Sequence, residues 1–299
     1  MPSALVKVKP PYGLERSIAV AASFTPAGDQ PAGLLRVAIR VGPRAVRIDV
    51  AQANASALRA SFADGADREA VKAAVAWIVC ADLDLKPFYR VALRHEKLGP
   101  IARRFWGVKP LRPPRLFDMA VTAITEQQIS LAAAHAIRTR LIQRFGTKAN
   151  ECFAFPEPHV IAGATLQQLR ACGLSRAKAD YIRTLARSVA EGRLDLAAIA
   201  QMPDEEAKEA LRKVRGFGPW SAEYVLVRGM ARPDRVPFDD LGVRTAVGRY
   251  LGSGMRVSAS RAERLLAPFA PYRGLAAFYL LANHRLRTSA PRERKQIGK

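Results

Sequence analysis

Residues 212–230, RKVRGFGPWSAEYVLVRGM, set two glycines one position apart inside a run of helix-forming residues, and a pair of aspartates, Asp239 and Asp240, follows. Glycine costs a helix interior about 1 kcal/mol relative to alanine, so the pair implies a break. DEEAKEALRKV (204–214) has acids in its first turn and Arg212 and Lys213 in its last, which suits the helix dipole. Gly216 then permits the positive φ that ends a helix, and Pro219 suits the first turn of the next one. Two helices joined by a tight hairpin result. Free N–H groups from Gly218 onward lie at a helix N-terminus, which binds phosphate without reading bases, and the bare glycines let a nucleic-acid backbone come close. DLGVRTAVGRYL (240–251) reads as a further helix with Asp240 near its N-cap, where the dipole favours the carboxylate anion. Trp220 and Tyr224 are four apart and share a helix face, where they could stack on an electron-poor ring. Plainer alternatives stand beside each reading: a structural αα-hairpin, a structural N-cap, a core-facing aromatic stripe. G-F-G-P-W-S is no dinucleotide fingerprint, because it lacks the third glycine and follows a helix.

Charge indicates what the hairpin meets. Forty-eight Lys and Arg oppose 26 Asp and Glu, giving +22 and a pI near 10.8, spread along the chain rather than held in one tail. Such a field attracts polyanions. Nucleic acid is the first candidate; an acidic membrane surface is the second, but no basic amphipathic anchor stands out. Arginine-rich genome bias explains Arg in place of Lys better than it explains so large a net charge. No stretch approaches the ~20 apolar residues of a membrane span, and the N-terminus lacks the pattern of a secretory signal. Cys80, Cys152 and Cys172 are far apart, which argues for a reducing compartment and against disulfides or a four-cysteine metal site. The four histidines are scattered, so no metal cluster is expected. The expectation is a cytoplasmic protein (nucleoid-associated if bacterial), monomeric and requiring no cofactor.

The elements that position these residues fall into an α+β arrangement. LLRVAIRVGPRAVRIDV (34–50) alternates on both sides of GPRA and reads as a β-hairpin, with ALVKVKPP and RSIAVAASFT as sheet partners. DREAVKAAVAWIVC (67–80) has helical spacing. A small N-terminal α+β domain is expected over 1–105, an all-α core over 106–287 and a basic tail over 288–299, with the proline-rich GVKPLRPPRL as linker. LFDMAVTAITEQQISLAAAHAIRTRLIQRF (116–145) is a helical run broken near Glu126 to Ser130. LRACGLSRAKADYIRTLARSV (169–189) echoes the first hairpin, as a second phosphate contact or as an ordinary glycine-ended helix.

VRGFGPWSAEYVLVRGM followed by VPFDDLGVRTAV resembles the helix-hairpin-helix DNA glycosylase superfamily, and AVTAITEQQIS and LRACGLSRAKADYIRTLA resemble its DNA-3-methyladenine glycosylase II branch, over about residues 106–287. The resemblance implies duplex DNA containing damaged bases as partner and removal of alkylated purines as activity; hypoxanthine or 8-oxoguanine excision, or DNA binding without catalysis, are the alternatives. It places the catalytic carboxylate on Asp240 rather than Asp239. The carboxylate would stabilise oxocarbenium character on the sugar and orient water. Cationic alkylpurines leave without strong acid help, which suits a site offering no obvious acid. Trp220 stands where strand-cleaving members carry a lysine, and an indole forms no Schiff base. Trp220, Tyr224 and Tyr272 would line the base pocket, with tyrosine at 272 where some relatives have tryptophan. Gly216, Phe217, Gly218 and Ser221 would hold DNA. Gln128 would fill the opened stack beside Gln127 and Ile129. Arg244 would contact phosphate or pair with a carboxylate, and the carbonyls of Arg212, Val214 and Phe217 would hold a monovalent cation.

Overall fold

Alternating side chains build the N-terminal sheet. The computed structural model describes residues 1–24, 31–42 and 44–289; the predicted basic tail falls, from residue 290, outside them. β1 (Ser3–Lys7), β2 (Leu34–Val41), β3 (Arg44–Asn54) and β4 (Ala57–Phe62) pair antiparallel in the order β1-β4-β3-β2. The β2–β3 hairpin forms, with Val37 opposite Ile48 and Ile39 opposite Val46. RSIAVAASFT is not a strand. Its residues 16–24 belong to helix α1 (Leu14–Phe24), residue 25 lying outside the described residues; buried Leu14, Ser17, Val20 and Phe24 recur at three- and four-residue spacing, a period that outweighs the β-branched content. The sheet position goes instead to β4, which the sequence reading passed over. Helix α2 (Arg68–Ile78) covers the sheet with Val71, Val75 and Ile78.

Helices α3 (Lys86–Ala92) and α4 (Leu98–Arg104) follow, and the chain then runs without helix or strand to α5 (Leu116–Glu126) and α6 (Leu131–Phe145). α5 is buried on all sides, since every residue from Leu116 to Glu126 except Thr122 is inside. Beyond α6, β5 (Thr147–Ala149) and β6 (Cys152–Ala154) form a short hairpin. The second region is therefore not all-α. This hairpin leans on the N-terminal sheet, where Arg47 donates to Glu151 at 2.6 Å and Arg40 to Thr147 at 3.3 Å. The remaining helices are α7 (Pro158–Gly163), α8 (Leu166–Arg170), α9 (Arg176–Ala190), α10 (Leu196–Gln201), α11 (Asp204–Arg212), α12 (Pro219–Tyr224), α13 (Leu241–Tyr250), α14 (Ala259–Leu266) and α15 (Arg273–Ser289). A π-helical segment, Val225–Gly229, extends α12.

Two helical cores meet at the site. One gathers α5 to α12 with the π segment; the other joins Val20 and Phe24 of α1, Leu85 to Val108, and Val236 to Ala282. Residues 85–105 thus pack with the C-terminal helices rather than with the sheet, so the expected boundary at 105 is not a packing boundary. Among the described residues no single helix is long and apolar enough to cross a membrane, and no His, Cys, Asp or Glu cluster could hold a metal ion.

Lys109 pins the junction between sheet and helices. It is fully buried, donates to the carbonyls of Cys80 at 3.1 Å and Ala81 at 3.3 Å, and lies over the Tyr12 ring. Burial drives its ammonium down to about 8 from an ordinary 10.5. Between those values the unfolded chain binds a proton that the folded chain has released, so this group adds stability as pH rises; below about 8 both states are charged and the burial penalty is fully present. Urea unfolding of wild type and Lys109→Met at pH 7 and pH 9.5 should show the wild type gaining on the variant at the higher pH. Parallel pH dependences would show that Lys109 keeps its proton.

Candidate active site

The hairpin forms where the glycines require it. α11 ends at Arg212, Phe217 N–H returns to the Val214 carbonyl at 2.9 Å, and Gly216 has φ +90°. A β-carbon at Gly216 would lie 2.5 Å from the Tyr181 ring, so both conformation and space demand glycine there. At Gly218, the N-cap of α12, a β-carbon would meet nothing within 4 Å. That face is open to a ligand backbone. Gln128 lies across a groove from Gly218, Pro219 and Trp220.

Several expected DNA contacts turn inward instead. Gln127 Nε2 donates to the Gly216 carbonyl at 2.8 Å and to Ser221 Oγ at 2.9 Å. Ser221 is only 2% exposed, so these two residues fasten the hairpin to α5. Phe217 packs its ring on the core. Arg244 pairs with no carboxylate among the described residues; its Nε donates to the Val257 carbonyl at 2.8 Å and holds the turn after α13. Gln128 is exposed with φ +54°, a left-handed conformation between α5 and α6. The echo of the hairpin explains that posture. Gly173 turns with φ +99° and Ser175 caps α9, but Lys178 in its first turn reaches inward and donates to the carbonyls of Thr125 at 2.9 Å and Gln127 at 2.6 Å. It neutralises the carbonyl end of α5 and fixes the Gln128 loop.

Asp240 caps α13. Its Oδ1 accepts the Val243 N–H at 2.9 Å and its Oδ2 accepts Trp220 Nε1–H at 3.2 Å. Asp239 is exposed, outside the cavity. The loop delivering Asp240 is clamped by charge: Arg273 pairs with Asp234, Arg235 with Glu223, and Arg232 donates to the carbonyls of Ala200 and Met202. Trp220 and Tyr224 stack on each other, ring centres 4.7 Å apart and planes 16° off parallel. The Tyr224 hydroxyl donates to Glu126 Oε2 at 2.6 Å, while Arg138 donates to Glu126 Oε1 at 2.6 Å. Burial drives the Tyr224 hydroxyl's pKa well up, so it remains a phenol.

These groups line a cavity of about 280 Å³, small for a ligand site. Its far wall comes from the other core. Phe24 of α1 stacks on Phe278 of α15 at 5.7 Å, with the Arg228 and Arg285 guanidinium groups 4.6 Å and 4.7 Å from the Phe24 ring. Tyr272 is not in this wall; it packs against Phe88 at 6.4 Å in the core behind. Ile129 and Leu241, 38% and 58% exposed, give the cavity an apolar rim. Sequence reading missed Phe24, Phe278, Arg228 and Arg285. Glu126 was legible only as a helix break, and nothing local marks Phe24, which reaches the site through the helix that was taken for a strand.

Residues 121–271, which span this hairpin and its aspartate, match the model of the HhH-GPD superfamily, described as base excision DNA repair proteins. The chain belongs to that superfamily. A DNA-3-methyladenine glycosylase of Bacillus subtilis is 30% identical over 203 residues, covering 67% of each chain. The structure of a 3-methyladenine DNA glycosylase from Archaeoglobus fulgidus superposes with a TM-score of 0.82 at 27% identity, covering 95% of this chain and 98% of that one. An 8-oxoguanine glycosylase/lyase of Clostridium acetobutylicum in complex with double-stranded DNA reaches 0.76 at 18% identity, a likeness of fold alone. The DNA in that last complex does not carry over.

Replacing Gly216 by alanine forces a side chain into a positive-φ position and against Tyr181. A loss of about 1–3 kcal/mol in unfolding free energy is expected. Gly218→Ala, with open space around it, should cost less than 1 kcal/mol yet weaken duplex binding measured by fluorescence anisotropy. Equal effects on stability and binding at the two positions would contradict the division of roles.

Proposed function

We propose that this protein is a monofunctional DNA glycosylase that flips alkylated purines out of duplex DNA and removes them by hydrolysis, with Asp240 as the catalytic carboxylate. The observation that carries the reading is the placement of Asp240, anchored through Oδ1 and Oδ2, at the edge of an aromatic cavity beside a hairpin with an open Gly218. The hairpin's N–H groups hold the phosphate and Gln128 occupies the gap that the flipped nucleotide leaves. The base enters between the Trp220–Tyr224 pile and the Phe24–Phe278 wall. As the glycosidic bond breaks, positive charge grows on the sugar, and the fixed carboxylate lowers the energy of that state. It also orients the water that attacks.

What the cavity lacks sets the substrate class. Arginine is too weak an acid to give up its proton near neutral pH, which rules out Arg228 and Arg285 as general acids, and the Tyr224 hydroxyl is committed to Glu126. A neutral base would have to leave as an anion. A 3-methyladenine or 7-methylguanine already carries positive charge and leaves neutral, and aromatic faces attract it. No lysine lines the cavity among the described residues, which supports base removal without strand cleavage. A monovalent cation on the carbonyls of Arg212, Val214 and Phe217 belongs to the same proposal. The Val214 carbonyl already accepts the Phe217 N–H and would share its second lone pair.

The test is dimethyl-sulfate-treated duplex DNA with wild type and Asp240→Asn, free bases identified by chromatography. Wild type should release methylpurines and leave strands that break only after alkali, while the variant binds equally and releases at least about 100-fold more slowly. Strand breaks without alkali would overturn the monofunctional reading. An active Asp240→Asn variant would overturn the role of the carboxylate.

A further inference from the structure

Glu126 and Arg138 form a buried ion pair, with side chains 6% and 8% exposed, of which Glu126 lines the cavity and Arg138 does not. Such a pair is rarely worth more to stability than apolar residues of the same volume, so its presence calls for another account. Both carboxylate oxygens are used: Oε1 accepts from Arg138 and Oε2 from the Tyr224 hydroxyl, each at 2.6 Å. From Tyr224 the contacts continue. Its ring lies against Trp220 at 4.7 Å, and the Trp220 indole N–H reaches Asp240 Oδ2 at 3.2 Å. The chain of contacts joins α6, α5, α12 and the N-cap of α13.

We propose that Glu126, held by Arg138, is a positioning residue for Asp240. It fixes the Tyr224 hydroxyl; the tyrosine ring then fixes the plane of the Trp220 indole, and the indole N–H fixes one oxygen of the carboxylate. This rests on the glycosylase reading for its kinetic consequence, though not for the contacts themselves. Two features favour it over a purely structural pair. Trp220 is the second residue of its helix, where its own backbone gives little restraint, and the Tyr224 ring closes one of its faces. Asp240 Oδ1 is held by its own helix, but among the described residues Oδ2 has Trp220 alone. The orientation of Oδ2 therefore depends on a side chain whose plane is set from α5. Donation of the tyrosine proton to a carboxylate also enriches the aromatic pile in electron density, which strengthens its attraction for a cationic base.

Two readouts test this. The chain has three tryptophans, so indole ¹⁵N labelling gives three side-chain N–H resonances, and Trp220→Phe assigns the relevant one. Tyr224→Phe keeps the ring and loses the hydroxyl; Glu126→Gln keeps an acceptor and loses the charge. Each should shift the Trp220 resonance while leaving those of Trp77 and Trp106 in place. In single-turnover release of methylpurine, Tyr224→Phe should slow the chemical step about 10- to 100-fold with DNA affinity within about twofold. The Tyr224→Phe/Glu126→Gln double variant should lose no more than the worse single one, because both act through one bond. An unmoved Trp220 resonance in both variants would overturn the proposal whether or not the protein is active. Additive kinetic losses would overturn it too. If the wild type releases no methylpurine, the glycosylase reading falls, and the resonance shifts alone decide the positioning role.

Discussion

The hydrogen bond from the Trp220 indole to Asp240 joins two halves of the molecule that are built separately. Trp220 follows the hairpin and stacks on Tyr224, which packs against the core around α5; Asp240 caps α13, in the core around α15. A hairpin alone binds phosphate, and an N-cap aspartate alone holds a helix. Only their contact puts a carboxylate at a defined place relative to a bound backbone. Much of the surrounding structure serves that placement. The Arg273–Asp234 and Arg235–Glu223 pairs hold the intervening loop, Gln127 ties the hairpin down to α5, and Lys178 holds the end of α5.

The electrostatics are layered in the same way. A +22 chain attracts DNA from a distance, a term that salt screens. Inside the cavity the balance differs. Asp240 lines it, Glu126 is neutralised by Arg138, and Arg228 and Arg285 lie against the ring of Phe24. Burial lowers the Arg285 pKa, yet a guanidinium remains charged. The cavity is therefore no simple anionic trap for a cationic base. On the proposed reading, selection for positive charge comes from the aromatic faces and from the want of a general acid.

The sequence made the hairpin and its carboxylate legible because both obey local rules. Glycine, proline and N-cap preferences act within a few residues, and Gly216, Pro219 and Asp240 sit where those rules put them. Alternation made β2 and β3 legible for the same reason. What failed was nonlocal. RSIAVAASFT carries apolar residues compatible with either period, and the sheet it would have joined was completed by a strand farther along. Tyr272 was placed in the pocket by resemblance, but the turn before α15 aims it at Phe88, and Phe278 takes the wall. Gln127, Ser221 and Arg244 are polar residues near the right place that bond within the fold: Gln127 donates to Gly216 and Ser221, and Arg244 Nε to Val257.

That pattern has a physical cause. A hairpin that must hold a flexible polyanion has to be rigid before the ligand arrives, because binding energy spent on ordering the protein is lost to catalysis. Side chains flanking the hairpin are thus drawn into fastening it, which on the proposed reading leaves backbone N–H groups to do the contacting. Backbone donors suit a repair enzyme, which must dock on any sequence. The same reasoning covers the N-terminal region. Phe24 closes the cavity from α1, and α1 is held between the sheet and α15. The small sheet is then no appendage: through α1 it supports the wall of the cavity to which Phe24 belongs.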